Sequence, residues 1–186
     1  MGDFPEYDGL IGEEYLEKIV INLTSENEQV REEAGWLLGR GAWDRKFLPD
    51  YFRAMTLFPN GFYHNTIWRA IHATLIDSDI EYLEQITHYL DGRYASEAAE
   101  ALSKVPSRMS ILPLIEGMKN KIWIDHFIQN QESGVMNYFH TALEALVEIG
   151  DASAIDELQV FTNHDSNIIS EAVQRVINRI NQKNNL

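Results

Sequence analysis

The chain has 186 residues, 45% of them hydrophobic, with 15 Lys and Arg against 29 Asp and Glu for a formal net charge of −14. That hydrophobic content belongs to a globular chain, and the length suits one well-buried domain, 1–186, better than two. With no cysteine, disulfides, thiolate zinc sites and cysteine nucleophiles are excluded, which fits a reducing cytoplasm.

In chain order, the opening residues Met1 to Asp8 are acidic and lack the apolar run of a signal peptide. No later segment reaches the roughly 18 consecutive apolar residues of a membrane span. A cytoplasmic protein without membrane contact is expected. Sustained strand-like alternation is missing, whereas apolar residues recur at helical spacing nearly everywhere. A first lone helix is predicted at about 10–23. Helical hairpins follow at about 27–58, 63–90, 93–119 and 134–162, and a last helix at about 166–181 caps the end. The stretch 120–134 reads as an insertion, either an extended second helix with a loop or an extra turn, whose apolar residues pack back on the body.

The helices superpose as a repeat. With Ala34 set over Ala98 and Ala142, the residues four on are Leu38, Leu102 and Leu146, and those thirteen on are Phe47, Ile111 and Ile155. Fifteen on, Leu48-Pro49 and Leu112-Pro113 both place a proline in the first turn of a second helix, where its missing N–H costs nothing. Ala172 starts a further copy, and one copy near Ile67–Leu75 is anchored at Ala70 or Ile71. A small anchor lets helices approach closely, and the leucine four later shares its face. The pattern V-R-x-x-A-x-x-x-L-G, a turn, then an apolar helix opening with Leu-Pro resembles the short HEAT-like repeats of the phycobilin lyases, over roughly 27–182. The resemblance implies an all-α fold, an α-solenoid of HEAT-like hairpins, and leaves function open because such repeats serve many tasks.

The glycine-rich stretch Gly35, Gly39, Gly41 is not a phosphate loop. The spacing is wrong, no lysine or hydroxyl follows, and the preceding residues read as helix rather than strand. Gly39 and Gly41 suit a helix end, where a left-handed residue is usually glycine. The six histidines, His64, His72, His88, His126, His140 and His164, form no His-Glu pair. The iron-binding hydroxylases built from similar repeats use such pairs, so that activity is excluded and no metal site is expected. Adjacent acids such as Glu13-Glu14 and Glu32-Glu33 diverge by about 100° on a helix, and no serine sits in a nucleophile elbow. No catalytic constellation and no cofactor site emerge.

Charge directs the functional reading. Residues 1–33 hold ten acids against Lys18 and Arg31, and Asp77, Asp79, Glu81, Glu84 and Asp91 form a second focus. Such a surface repels nucleic acid and anionic lipid and steers a basic partner, although acidity also serves solubility alone. The basic residues Arg40, Arg45, Lys46 and Arg53 are too few for the phosphate track of a DNA-binding repeat protein. Trp43, Phe62-Tyr63 and Trp123 lie at or beside predicted turns, where exposed rings anchor partners. The expectation is a non-catalytic module that binds a basic protein. Asp50, Glu81, Glu84, Glu116, Asp156 and Glu157 would line its second helices, with Trp43 and Trp123 as apolar anchors. Its sharper form is an immunity protein that covers a nuclease toxin. The alternative is a lyase-like accessory that assists cofactor attachment or assembly of another protein.

Overall fold

The computed structural model describes residues 13–40, 43–58, 63–130 and 137–184. Eleven α-helices and three short 3-10 turns carry the described chain, with no strand among the described residues. They are α1 (Glu13–Asn22), α2 (Glu28–Leu38), α3 (Leu48–Leu57), α4 (His64–Thr74), α5 (Leu83–Thr87), α6 (Ala95–Lys104), α7 (Ile111–Met118), α8 (Lys121–Gln129), α9 (Tyr138–Ile149), α10 (Ser153–Thr162) and α11 (Asn167–Lys183). They group into two compact units, Met1–Leu75 and Ile76–Leu186.

Several helices and turns begin where the sequence supplies a side-chain cap for orphan N–H groups. The Asn27 and Asn137 side chains accept from the backbone N–H of Gln29 and Phe139 at 3.0 and 2.7 Å, opening the first helices α2 and α9. Asp44 and Ser107 do the same for 3-10 turns at Arg45–Phe47 and Arg108–Ser110, which lead directly into α3 and α7. Asp151 starts α10 by accepting from Ser153 N–H at 2.8 Å, and hydrogen bonding from the Ser153 side chain, with this backbone bond adding to it, holds its carboxyl below the usual range.

In the first unit α2 packs against α1 and α4, and α3 against α4. In the second, the first helices α6, α9 and α11 lie side by side, while α7 and α10 form a second layer packed against α9 and α11 respectively and against each other. Burial gives the register directly. Ala34, Gly35, Leu37 and Leu38 of α2 are buried, as are Ala98, Ala99, Ala101 and Leu102 of α6 and Ala142, Leu143, Ala145 and Leu146 of α9. In α4 the same i, i+1, i+3, i+4 pattern falls on Ile67, Trp68, Ala70 and Ile71. Ile67 therefore takes the anchor place, earlier than the expected Ala70 or Ile71.

The second helices depart from the expected alignment by one residue. Leu48, Tyr51, Phe52 and Met55 of α3 are buried in the spacing of Ile111, Leu114, Ile115 and Met118 of α7, so Leu48 matches Ile111, not Leu112. The two prolines are therefore not equivalent: Pro49 is the second residue of α3 and Pro113 the third of α7. Both avoid losing a helical hydrogen bond, which is what made them look alike.

The insertion forms a helix of its own, α8, capped by Asn120, which accepts from Ile122 N–H at 3.0 Å. It packs on α9 and α11. Positions 131–134 of that insertion, the expected first residues 10–12 of the opening helix, Gly41 and Phe62 lie outside the described residues.

Candidate interaction surfaces

The glycines of the α2 stretch serve packing. A Cβ at Gly35 would collide with the Cβ of Tyr63, so the ring of Tyr63 enters a notch that only glycine leaves open. Tyr63, expected beside a turn as an exposed anchor, is buried there. Its hydroxyl accepts from Arg31 Nε at 3.2 Å, while burial raises its phenol above the ordinary value. The Arg31 guanidinium also donates to Ser25 O at 2.6 Å and Glu26 O at 2.9 Å and lies 3.8 Å from the centre of the Phe58 ring. The Val-Arg of the repeat pattern is thus a clamp on the α1–α2 connection. Gly39 ends α2 as expected, but at φ −63°, a right-handed conformation. The left-handed helix end, φ +65°, is instead Gly150 after α9.

The expected anchor tryptophans pack on their own chain. The Trp43 indole N–H donates to Leu38 O at 2.9 Å, closing the end of α2, and the Arg69 guanidinium lies 5.6 Å from its ring. Trp123 sits half-buried in α8 with its ring 5.7 Å from that of Tyr138. The tryptophan that does face outward is Trp36, 60% exposed under the Arg40 guanidinium. Its signal was in the sequence: Glu28, Glu32 and Trp36 follow one another at four-residue spacing along the polar face of α2, and Arg40 continues the spacing just past its end.

Of the expected acids, Asp50 is half-buried in the first turn of α3 in the first unit. Glu81, Glu84, Glu116, Asp156 and Glu157 are all exposed in the second unit, on or just before its second helices. Glu116 pairs with Lys119 at 2.5 Å. Asp156 and Glu157 stand together on α7's neighbour α10, which carries no Lys or Arg along its length. Exposed apolar residues in the same layer are Met109 just before α7, Leu112 on α7 and Val160 on α10, which are 74%, 54% and 61% exposed.

The histidines have packing and capping roles. His126 Nδ1 lies 2.8 Å from the Asn137 amide nitrogen. Because Asn137 Oδ1 already accepts from Phe139 N–H, its NH2 faces the imidazole, and Nδ1 must be the acceptor. Phe127 of α8 stacks on His140 and meets Phe139 at 5.0 Å between ring centres. His164 Nδ1 accepts from Ser166 N–H at 3.1 Å before α11. Among the described residues no group of three or more His, Asp or Glu is placed to hold a metal, and no helix is long and apolar enough to cross a membrane.

No family model and no curated protein matches the chain. Solved structures do. The complex of CpcE and CpcF of phycocyanin lyase from Nostoc sp. PCC7120 aligns with 98% of this chain and 70% of its own, with a TM-score of 0.62 at 20% identity. An engineered protein aligns with 91% of this chain and 81% of its own, at a TM-score of 0.51 and 18% identity. The fold is therefore all-α, built of HEAT-like helical hairpins similar to those of the phycocyanin lyase chains.

Proposed function

We propose that this chain is an accessory protein that docks on another protein and assists cofactor attachment to it or its assembly, without catalysing a reaction itself. The observation that carries this reading is the likeness, along nearly the whole chain, to a lyase solved as a complex of two proteins. Short helical repeats favour such a task, because stacked hairpins present extended surface without building a deep pocket. The partner is a basic protein of the cytoplasm, drawn by a net charge of −14.

The test is a deletion. A tagged copy is purified from its own cells and the co-purifying protein identified by mass spectrometry. In cells lacking this chain, that protein should accumulate without its cofactor or outside its normal assembly, read from its absorbance and its solution mass. Full cofactor occupancy and normal assembly in the deletion strain would overturn the accessory role. Absorbance after mixing with a bilin checks how far the lyase likeness extends.

A second reading, an immunity protein that neutralises a basic nuclease toxin, is supported by the acidic charge. It requires a different outcome from the same deletion: the cells die when the partner is expressed and survive when it is not.

A further inference from the structure

We infer that the outer face of α2 around Trp36 is a docking site for a lysine or arginine side chain of the partner protein, received between the open face of the indole and the Glu32 and Glu33 carboxylates. The inference rests on the accessory reading and names where the partner is held. The repeat register marks Trp36 as out of place. It stands two residues after the anchor Ala34, and the same place holds Arg69, Glu100, Glu144 and Gln174 in α4, α6, α9 and α11. None of these four is buried, and a polar residue is what an outward position on such a helix calls for. The fold therefore needs no aromatic ring there, yet α2 carries an indole that is 60% exposed. Large rings of this kind are frequent anchors of protein interfaces, because a partner's contact removes their surface from water.

Helix geometry makes the patch contiguous, since side chains three and four residues apart are neighbours. Trp36 has Glu32 and Glu33 beside it towards the start of α2, and Arg40 on its other side, just past the helix end. The Arg40 guanidinium lies 4.1 Å from the ring centre and covers one face of the indole. With that face covered, the residue keeps its exposure only if the other face is open. The chain thus shows the binding mode on itself: this ring already seats a cation. Glu32 and Glu33 have no ion-pair partner among the described residues. One turn from the open face, they would meet the charge of a second cation stacked there. Exposed acids such as Asp77, Glu84 and Asp165 lack ion pairs as well. What distinguishes Glu32 and Glu33 is the exposed tryptophan one turn away. A nucleic acid or an anionic membrane also takes up indoles, but Glu28, Glu32 and Glu33 would repel its phosphates.

The test places a photo-crosslinking residue at Gln29 in the full chain, in its own cells. Gln29 is exposed on the same face of α2, two turns from Trp36, and Gln174 on α11 is the control position. The adduct from Gln29, absent from Gln174, should map by mass spectrometry to a protein segment containing Lys or Arg. A synthetic copy of that segment should then bind the purified chain and change its tryptophan emission. Trp36→Ala, the double variant Glu32→Gln, Glu33→Gln, and a peptide with its bases replaced by norleucine should each weaken binding by about ten-fold. Melting curves of both variants should stay unchanged. Trp36→Phe should keep most of the affinity while abolishing the emission change. A self-adduct, a nucleic-acid or lipid adduct, a segment without bases, full affinity in Trp36→Ala, or no adduct would each overturn the site. If the segment binds through Trp36 but the partner matures normally in the deletion strain, the site stands and the accessory role fails. If maturation fails in that strain while Trp36→Ala binds the segment fully, the role stands and this site is wrong.

Discussion

Two side chains show how a single residue carries a larger contact. Gly35 admits the Tyr63 ring against α2, so Gly35→Ala forces either ring or helix to move. Overpacking of this kind costs about 1–3 kcal/mol, to be read as a lower urea midpoint with an unchanged slope. Gly117 stands in the same relation to Tyr138, whose hydroxyl donates to Leu114 O at 2.8 Å. Tyr51 is fully buried, and burial, with the Asp44 and Asp50 carboxylates adding to it, pushes its phenol from 10.0 up to about 12. In the unfolded chain the same group ionises near its ordinary value of about 10. Stability from the neutral phenol is therefore complete below about pH 10 and falls as pH rises towards 12, by a total on the order of 2–3 kcal/mol. Tyr51→Phe should flatten this part of the alkaline unfolding curve and change little at neutral pH. Neither glycine contact could be read from the sequence. A glycine inside a helix says that something comes close, but the approaching ring lies 28 residues away for Tyr63 and 21 for Tyr138.

At the level of elements, first helices were legible because their buried sets repeat with a small residue at the anchor, as at Ala34, Ala98, Ala142 and Ala172. Second helices α3 and α7 slipped by one residue because the run from first helix to capped turn differs in length: Asp44 lies ten residues after Ala34 but Ser107 nine after Ala98, while Leu48 and Ile111 each follow their cap by four. Loop length sets that offset, and periodicity within a helix does not report it. The α8 insertion is held by an amide with two duties. Asn137 caps α9 through Oδ1 and reaches His126 through its NH2. Asn137→Ala should cost about 1–2 kcal/mol through the lost cap and also raise amide exchange along α8. Asn137→Asp should keep α9 capped, with His126 turning its proton to Nδ1 to donate to the carboxylate. Hydrogen exchange resolved by helix separates the two: α8 and α9 both loosen in the alanine variant, neither in the aspartate variant at neutral pH.

For the whole molecule, the HEAT-like class was readable because hairpin after hairpin repeats one buried pattern. The similarity to the phycocyanin lyase chains carries that class and no residue-level role, since identity is 20%. Charge is the property that acts at this scale. With the partner isolated, association should slow as salt rises through roughly 0.05–0.5 M while dissociation changes less, because exposed acids steer encounter more than they hold the complex. Stopped-flow kinetics over that range measure both rates, and an association rate indifferent to salt would remove the electrostatic part of the proposal.

The sequence by itself determined the helices, their class and the side of each first helix that is buried, because these depend on spacing within about a dozen residues and on where polar caps fall. It also determined that the surface is acidic. Tertiary structure decided which of the aromatic residues at turns are covered. Trp43 closes α2 and Tyr63 fills the Gly35 notch, although both lie where an exposed ring was expected. It decided as well which acids find an ion-pair partner from another helix, as Glu144 does with Arg179 and Glu148 with Lys183. These outcomes depend on which helix arrives alongside, and that contact is made by residues far apart in the chain.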